Sequence, residues 1–213
     1  LLSESSTAQT TIWGLTAGEW LIVPLLTCIF LLRTPGASDF EQFYYAAAAW
    51  PHLYQGAPLI PMGDGYANIF VPWAAVLTLP LSFLPFRLAL AILQSCNVLA
   101  LHLLAGRVLW KTALVCTSTV AITQISTGNL DAIAALGTLL PGGGALMLLA
   151  MKPQTAGLAS LPILLRDGWK HALLPGFVML LATLHWSEWL YRARLASQGG
   201  WNWSIFPWGL LLA

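Results

Sequence analysis

Long apolar stretches with few interruptions dominate the chain. Ile12–Leu32, Asn68–Phe86, Leu88–Leu109, Thr112–Ser126, Asn129–Met151, Gln154–Leu165 and His171–Trp189 each read as one apolar helical segment, and an eighth begins at Asn202. None of these runs alternates with period two, which argues against an outer-membrane barrel. A crossing helix takes about 20 residues, so the Gln154 run is too short to cross upright. Pro72, Pro80 and Pro85 punctuate the second run, as membrane helices tolerate. Arg87 marks a tight turn before the third. The sequence PGGG, Pro141 to Gly144, predicts a helix break or a close helix approach in the middle of the fifth.

Polar residues gather between the first two runs. Thr34 to Phe86 contains no Lys or Arg but holds Asp39, Glu41 and Asp64. The segment 34–67 therefore reads as a non-cytoplasmic loop. Within it, Ser38-Asp39-Phe40-Glu41 fits a capping box, with Ser38 as N-cap and Glu41 as reciprocal partner. This predicts an amphipathic helix near 39–50 lying along the membrane surface. In its first turn Asp39 is expected either to complement the helix macrodipole or to serve chemistry. Phe43, Tyr44, Tyr45 and Trp50 then read as interfacial anchors or as the lining of a lipid or sugar groove. Asp64, between two glycines, reads as a turn residue.

Composition narrows the class. The chain is 58% hydrophobic and 8% charged, with mean hydropathy +0.74, whereas a soluble domain carries roughly 25% charged residues. The expected fold is all-α: a polytopic integral membrane protein of about seven or eight transmembrane or broken helices, with 1–213 as a single membrane domain. Glu19 and Pro24 in the first run suggest that its first turns lie in the interface or face other protein. Net charge +1 gives no nucleic-acid footprint. Cys28, Cys96 and Cys116 lie in apolar stretches without C-x-x-C spacing, so they read as small core residues. The chain starts at Leu1 and stops within an apolar run, so further residues are expected at one or both ends.

Orientation is ambiguous. Alternation with a cytoplasmic N-terminus puts the Ser38 loop outside, but also Arg107, Lys111, Lys152, Arg192 and Arg194. The positive-inside rule disfavours that, unless those cations bind lipid phosphate. Lys152 reads as a phosphate ligand or as a snorkelling lysine at a helix end. Asp131, near the start of the fifth run, reads as a cap or as a functional carboxylate. His102 and His185 show no metal-ligand spacing, and none of the glycines forms a nucleotide-binding loop. Asn202-Trp203-Ser204 also matches an N-glycosylation sequon.

The order SDFEQFYYAAAAW, LYQGAPLI, YANIFVPWAAVLTLPLSFLPFRLALAI resembles the integral-membrane mannosyltransferase-like family of the GT-C superfamily. TGNLDAIAALGTLL resembles that family's Gly-Gln-x-Asn helix start at Gly128, Asn129 and Asp131. MKPQTAGLASLPILL resembles its Lys-Pro-Gln element at Lys152 to Gln154, and WNWSIFPWGLLL its Asn-Gln-Ser-Leu element at Asn202 to Ser204. The likeness runs from about Ser38 to Ser204. Asn129 stands where the family usually has Gln, Asp131 where Asn is commoner, and Trp203 where it has Gln. The chain is about half the family's usual length and corresponds to a GT-C-like N-terminal half.

The resemblance implies inverting transfer of a sugar, typically mannose, from a polyprenyl-phosphate donor to a lipid-linked or glycan acceptor, with no cofactor. It implies Asp39 as general base. It implies substrate-binding roles for Lys152, Tyr44, Tyr45, Asn129, Asp131 and Gln154, with the Lys152 charge meeting the departing phosphate. Membrane lipids and other membrane protein subunits are the further expected partners, and the cell (inner) membrane the expected location. Two other readings stay open: a non-catalytic polytopic subunit of a larger membrane complex, and a small transporter or flippase-like protein for a lipid-linked substrate.

Overall fold

The computed structural model describes residues 11–12, 15–32, 39–56, 60–62, 65–67, 71–152 and 159–191. Ser38, Asp64, Gln154, Arg192, Arg194 and the Asn202–Ser204 element lie outside the described residues. The described chain is mostly helical. It also carries two short antiparallel hairpins, β1 (Thr11–Ile12) with β2 (Leu15–Thr16) and β3 (Ile60–Met62) with β4 (Gly65–Ala67).

Helix α1 (Ala17–Leu31) begins later than its apolar run, because a capping box stops it at Thr16. The Thr16 hydroxyl accepts from the Glu19 backbone N–H, and the Glu19 carboxylate accepts from the Thr16 N–H at 2.6 Å. A capping box thus closes the start of α1, while Ser38 of the box expected at 38–41 lies outside the described residues.

The aromatic segment forms α2 (Phe40–Ala48) and, after a turn, α3 (Leu53–Gly56). One face of α2 belongs to the core. Phe40, Phe43, Ala46 and Ala47 are buried, with Leu53, Tyr54, Trp73, Ala74 and Ala75 around them. Phe43 is therefore a core side chain and not an interfacial anchor. Tyr45 and Trp50 stay exposed.

Proline and the surrounding turn bound α4 (Pro72–Ser82), which starts with Pro at its first position and ends before the turn to α5 (Phe86–Leu104). Helices α1 and α5 run antiparallel and pack along their length. Arg87 near the start of α5 donates to the Leu31 carbonyl at 3.4 Å. Thr27 Oγ1 and Ser95 Oγ meet at 3.1 Å midway. Glu19 meets His102 and Arg107 at the other end. The third apolar run was expected to continue to Leu109. It stops at Leu104 because Gly106 (φ 73°) and Arg107 (φ 63°) turn the chain in the left-handed region.

The fourth run divides into α6 (Leu109–Cys116) and α7 (Thr119–Thr127), since the Ser118 hydroxyl caps α7 by accepting from the Ala121 N–H. The fifth run is broken as its PGGG predicts. It yields α8 (Asp131–Ala135), a 3-10 turn (Leu136–Leu139) and α9 (Gly142–Leu149). The close approach is at Gly137, where a Cβ would sit 2.6 Å from the Ala145 carbonyl oxygen. The later runs give α10 (Ser160–Asp167), a 3-10 turn (Trp169–Ala172) and α11 (Leu173–His185).

Among the described residues, α5 alone is long and apolar enough to cross a bilayer, while α1 and α4 are apolar but shorter. At 1.5 Å per residue α5 spans roughly 28 Å, close to a hydrocarbon core of about 30 Å. The surface is unusually apolar for a water-facing one. On α11, Leu173, Leu174, Phe177, Leu180, Leu181 and Leu184 are all exposed, and on α6 so are Leu109, Trp110 and Leu114.

Candidate functional site

The site is built around a turn. Helix α7 ends in a Schellman motif: Gly128, with φ 68°, donates its N–H to the Ile125 carbonyl, and Asn129 donates its N–H to that of Gln124 at 3.0 Å. Only glycine suits position 128. Besides its positive φ, a Cβ there would meet Leu90 Cδ1 at 2.7 Å and Phe40 Cβ at 2.9 Å. This tight seat brings the chain after α7 against the first residue of α2, and so against Asp39.

Every polar atom of Asn129 is engaged. Its backbone N–H closes the Schellman motif. Its side-chain Oδ1 accepts from the Asp131 N–H at 3.2 Å, an Asx turn that leads into α8. Its carbonyl accepts from Asn97 Nδ2 at 2.8 Å. That leaves Nδ2 to donate, and it donates to Asp39 Oδ2 at 3.1 Å. Because Oδ1 must face an N–H donor, the amide has one orientation, with its donor toward the carboxylate.

Asp39 occupies the N-cap position of α2 in a helical conformation and makes no side-chain cap bond. At the start of α2 it stands where the macrodipole favours a negative charge, and its carboxylate accepts from a residue 90 positions along the chain. Glu41 falls one position short of the reciprocal place in a box, since the helix starts at Phe40.

Asp131, the first residue of α8, accepts from Gln124 Nε2 at 3.3 Å and lies 3.7 Å from Lys152 Nζ. Both partners of this ion pair are mostly enclosed, 14% exposed at Lys152 and 18% at Asp131. Lys152 follows the end of α9, just after Ala150, whose carbonyl accepts from Trp73 Nε1 at 2.8 Å. The cation expected to meet a lipid phosphate thus faces a protein carboxylate here, the structural alternative to that role.

Asp39, the Asn129–Asp131 turn and Lys152 are therefore linked contact by contact from three separate segments. Tyr44 and Tyr45 do not join them by hydrogen bonds. The Tyr44 hydroxyl donates to the Leu84 carbonyl at 2.7 Å, and its ring sits edge-on to Phe40 and Phe86. Tyr45 is 42% exposed and stacks on Phe86 at 6.1 Å between centroids. Gln154 lies outside the described residues. Two members of the network escaped the sequence reading, Asn97 and Gln124. The signal for Asn97 was a polar residue inside the apolar run Leu88–Leu109.

Elsewhere, His102 is accounted for by structure. Its Nδ1 is 2.8 Å from Thr112 Oγ1 and its Nε2 3.9 Å from Glu19. Arg107, which the charge pattern offered as a phosphate ligand, pairs with Glu19 at 3.4 Å. His185 packs edge-on against Trp186. Among the described residues no group of three or more His, Cys, Asp and Glu side chains is arranged to hold a metal ion.

The arrangement offers one carboxylate held by an amide donor, with a second carboxylate two residues further along the same turn and a cation paired to that second carboxylate. Chemically it suits proton acceptance from a polar group, next to a charge pair that an anion can reorganise. No family model matches the chain, no curated protein matches it, and no solved structure matches it.

Proposed function

We propose that the chain is a multi-pass protein of the cell (inner) membrane and that Asp39 is the general base of an inverting sugar transfer. The donor is a polyprenyl-phosphate sugar, with mannose the first choice. The acceptor is a hydroxyl of a lipid-linked or glycan substrate. The observation that carries the reading is the Asn129 amide on the Asp39 carboxylate at 3.1 Å. It fixes the base without consuming it, because a carboxylate has about four lone-pair sites and one amide leaves room for a hydroxyl.

In the step proposed, the acceptor oxygen attacks the anomeric carbon while Asp39 takes its proton. The bond from that carbon to the phosphate oxygen breaks, and polyprenyl phosphate leaves with the electron pair. Lys152 meets that phosphate only by leaving Asp131, which makes the Lys152–Asp131 contact a resting partner for both charges. Tyr45, exposed on Phe86, offers an aromatic face to a sugar or to the lipid interface. Asn97, which touches the Asn129 turn, stands on α5, the described helix long and apolar enough to cross a bilayer.

Purified protein in lipid nanodiscs, given a radiolabelled polyprenyl-phosphate mannose and a lipid-linked acceptor, should form product with inverted anomeric configuration. Absence of transfer with a range of such donors would remove the reading. The membrane part is tested separately. A cysteine at Gln55, in a variant without Cys28, Cys96 and Cys116, should react with an impermeant reagent in intact cells; reaction only after lysis would put segment 34–67 on the cytoplasmic side.

The exposed apolar face of α11 favours a second reading, a non-catalytic subunit seated among other membrane proteins. Copurification in fixed stoichiometry with larger membrane proteins, together with no loss of the complex's activity in an Asp39→Asn variant, would select it over the first.

A further inference from the structure

We infer that Asn97 is a positioning residue for Asp39, acting through the backbone of Asn129; this rests on the reading of Asp39 as the base. Asn97 is fully buried in α5. Its Nδ2 donates to the Asn129 carbonyl at 2.8 Å, while its Oδ1 is buried with no hydrogen-bond partner among the described residues. A buried unsatisfied acceptor needs a reason. A leucine would fill similar space without the unpaired Oδ1, but it would take the donor away from the Asn129 carbonyl, so the reason lies in the bond that Asn97 makes.

What the asparagine does that leucine would not is fix one carbonyl. The Asn129 backbone is held on both sides of its Cα, by Gln124 through the N–H and by Asn97 through the C=O. With those two bonds made, and Oδ1 held by the Asp131 N–H, the only donor direction left to Nδ2 is toward Asp39. Asn97 is also the member of the set that stands on a long, regular helix. Asn129 sits on a turn, Asp39 and Asp131 at the starts of short helices, and Gln124 in the nine-residue α7, all of which follow the backbone they are attached to. The chain of dependence runs from α5 through the turn to the base.

The test reads the Asn129 side-chain amide directly. The chain has four asparagines, Asn68, Asn97, Asn129 and Asn202. Protein labelled with 15N-asparagine in micelles therefore gives few side-chain signals, assigned by single substitutions. In the native background Asp39→Asn should move the Asn129 amide signal. In Asn97→Leu protein, or in Asn97→Ala protein if the first does not fold, the same Asp39→Asn change should no longer move it. If it moves as far as in the native background, the positioning role is overturned, whatever the reaction.

Turnover supplies the second arm. Asn97→Leu should lower kcat by at least ~10-fold with KM unchanged, and should cause no further loss in Asp39→Asn protein. An unchanged kcat, or equal losses in both backgrounds, also overturns the proposal. If native protein transfers no sugar, the transfer reading falls and the amide signal alone decides whether Asn97 places Asn129 on Asp39.

Discussion

Asn129 and Asp39 are 90 positions apart in sequence and 3.1 Å apart in space, amide to carboxylate. The contact depends on a turn whose geometry glycine alone supplies. Helix α7 stops at Gly128 in the left-handed region, and the missing Cβ lets the turn sit on Phe40, the residue after Asp39.

Gly128→Ala should therefore be strongly destabilising. The left-handed backbone costs a non-glycine residue about 1–2 kcal/mol. Overpacking against Leu90 and Phe40 adds about 1–3 kcal/mol. Thermal unfolding in detergent, followed by tryptophan fluorescence, should show a clearly lowered midpoint. A midpoint equal to the native one would mean that the turn is seated elsewhere.

Lys152 and Asp131 should behave as a coupled pair. Lys152→Met leaves a mostly enclosed carboxylate without its cation, and Asp131→Asn leaves the ammonium without its anion. Residues in direct contact typically couple by about 0.5–3 kcal/mol. The double variant should therefore lose less stability than the sum of the two single losses. Simple additivity would show that the two charges do not meet. Lys152→Arg should retain binding of vesicles rich in polyprenyl phosphate, whereas Lys152→Met should weaken it. Equal binding by both would take the phosphate role from Lys152.

Much of the site was legible in the sequence and much of the geometry was not. Asp39, Asn129, Asp131 and Lys152 were singled out from local pattern and family resemblance, and the fold does bring them into one cluster. What local pattern could not give was who partners whom. The capping box at Thr16–Glu19 was not singled out in the sequence, although its Thr-x-x-Glu spacing is the same as the Ser-x-x-Glu spacing read at 38–41. Tyr44 looked like a groove residue beside its neighbour, but its hydroxyl finds a backbone carbonyl across the α4–α5 turn. Asn97 was overlooked because one polar residue in a long apolar run has no period of its own. The break at Pro141, by contrast, was written locally in proline and three glycines.

Asp167 provides a pH-dependent test of that break. Its carboxylate is held well below the usual carboxylate range, first by the Arg166 guanidinium and then by the Gly142 N–H at the start of α9. A lowered folded pKa means that the contribution is complete above the unfolded value of about 3.9 and is lost as pH falls through the folded value. Native protein should therefore unfold at a higher temperature than Asp167→Asn protein at neutral pH. The two should converge in strong acid. A gap that stays constant from pH 7 to pH 2 would show that the charge of Asp167 does not support α9.

The central claim is that Asp39 is the base, and one substitution addresses it most directly. Asp39→Asn keeps the shape of the side chain and removes its basicity. Sugar transfer by the folded variant, compared with native protein in the same nanodiscs, should fall by at least ~100-fold, the usual worth of general base catalysis. Transfer at the native rate by a correctly folded Asp39→Asn protein would contradict the account.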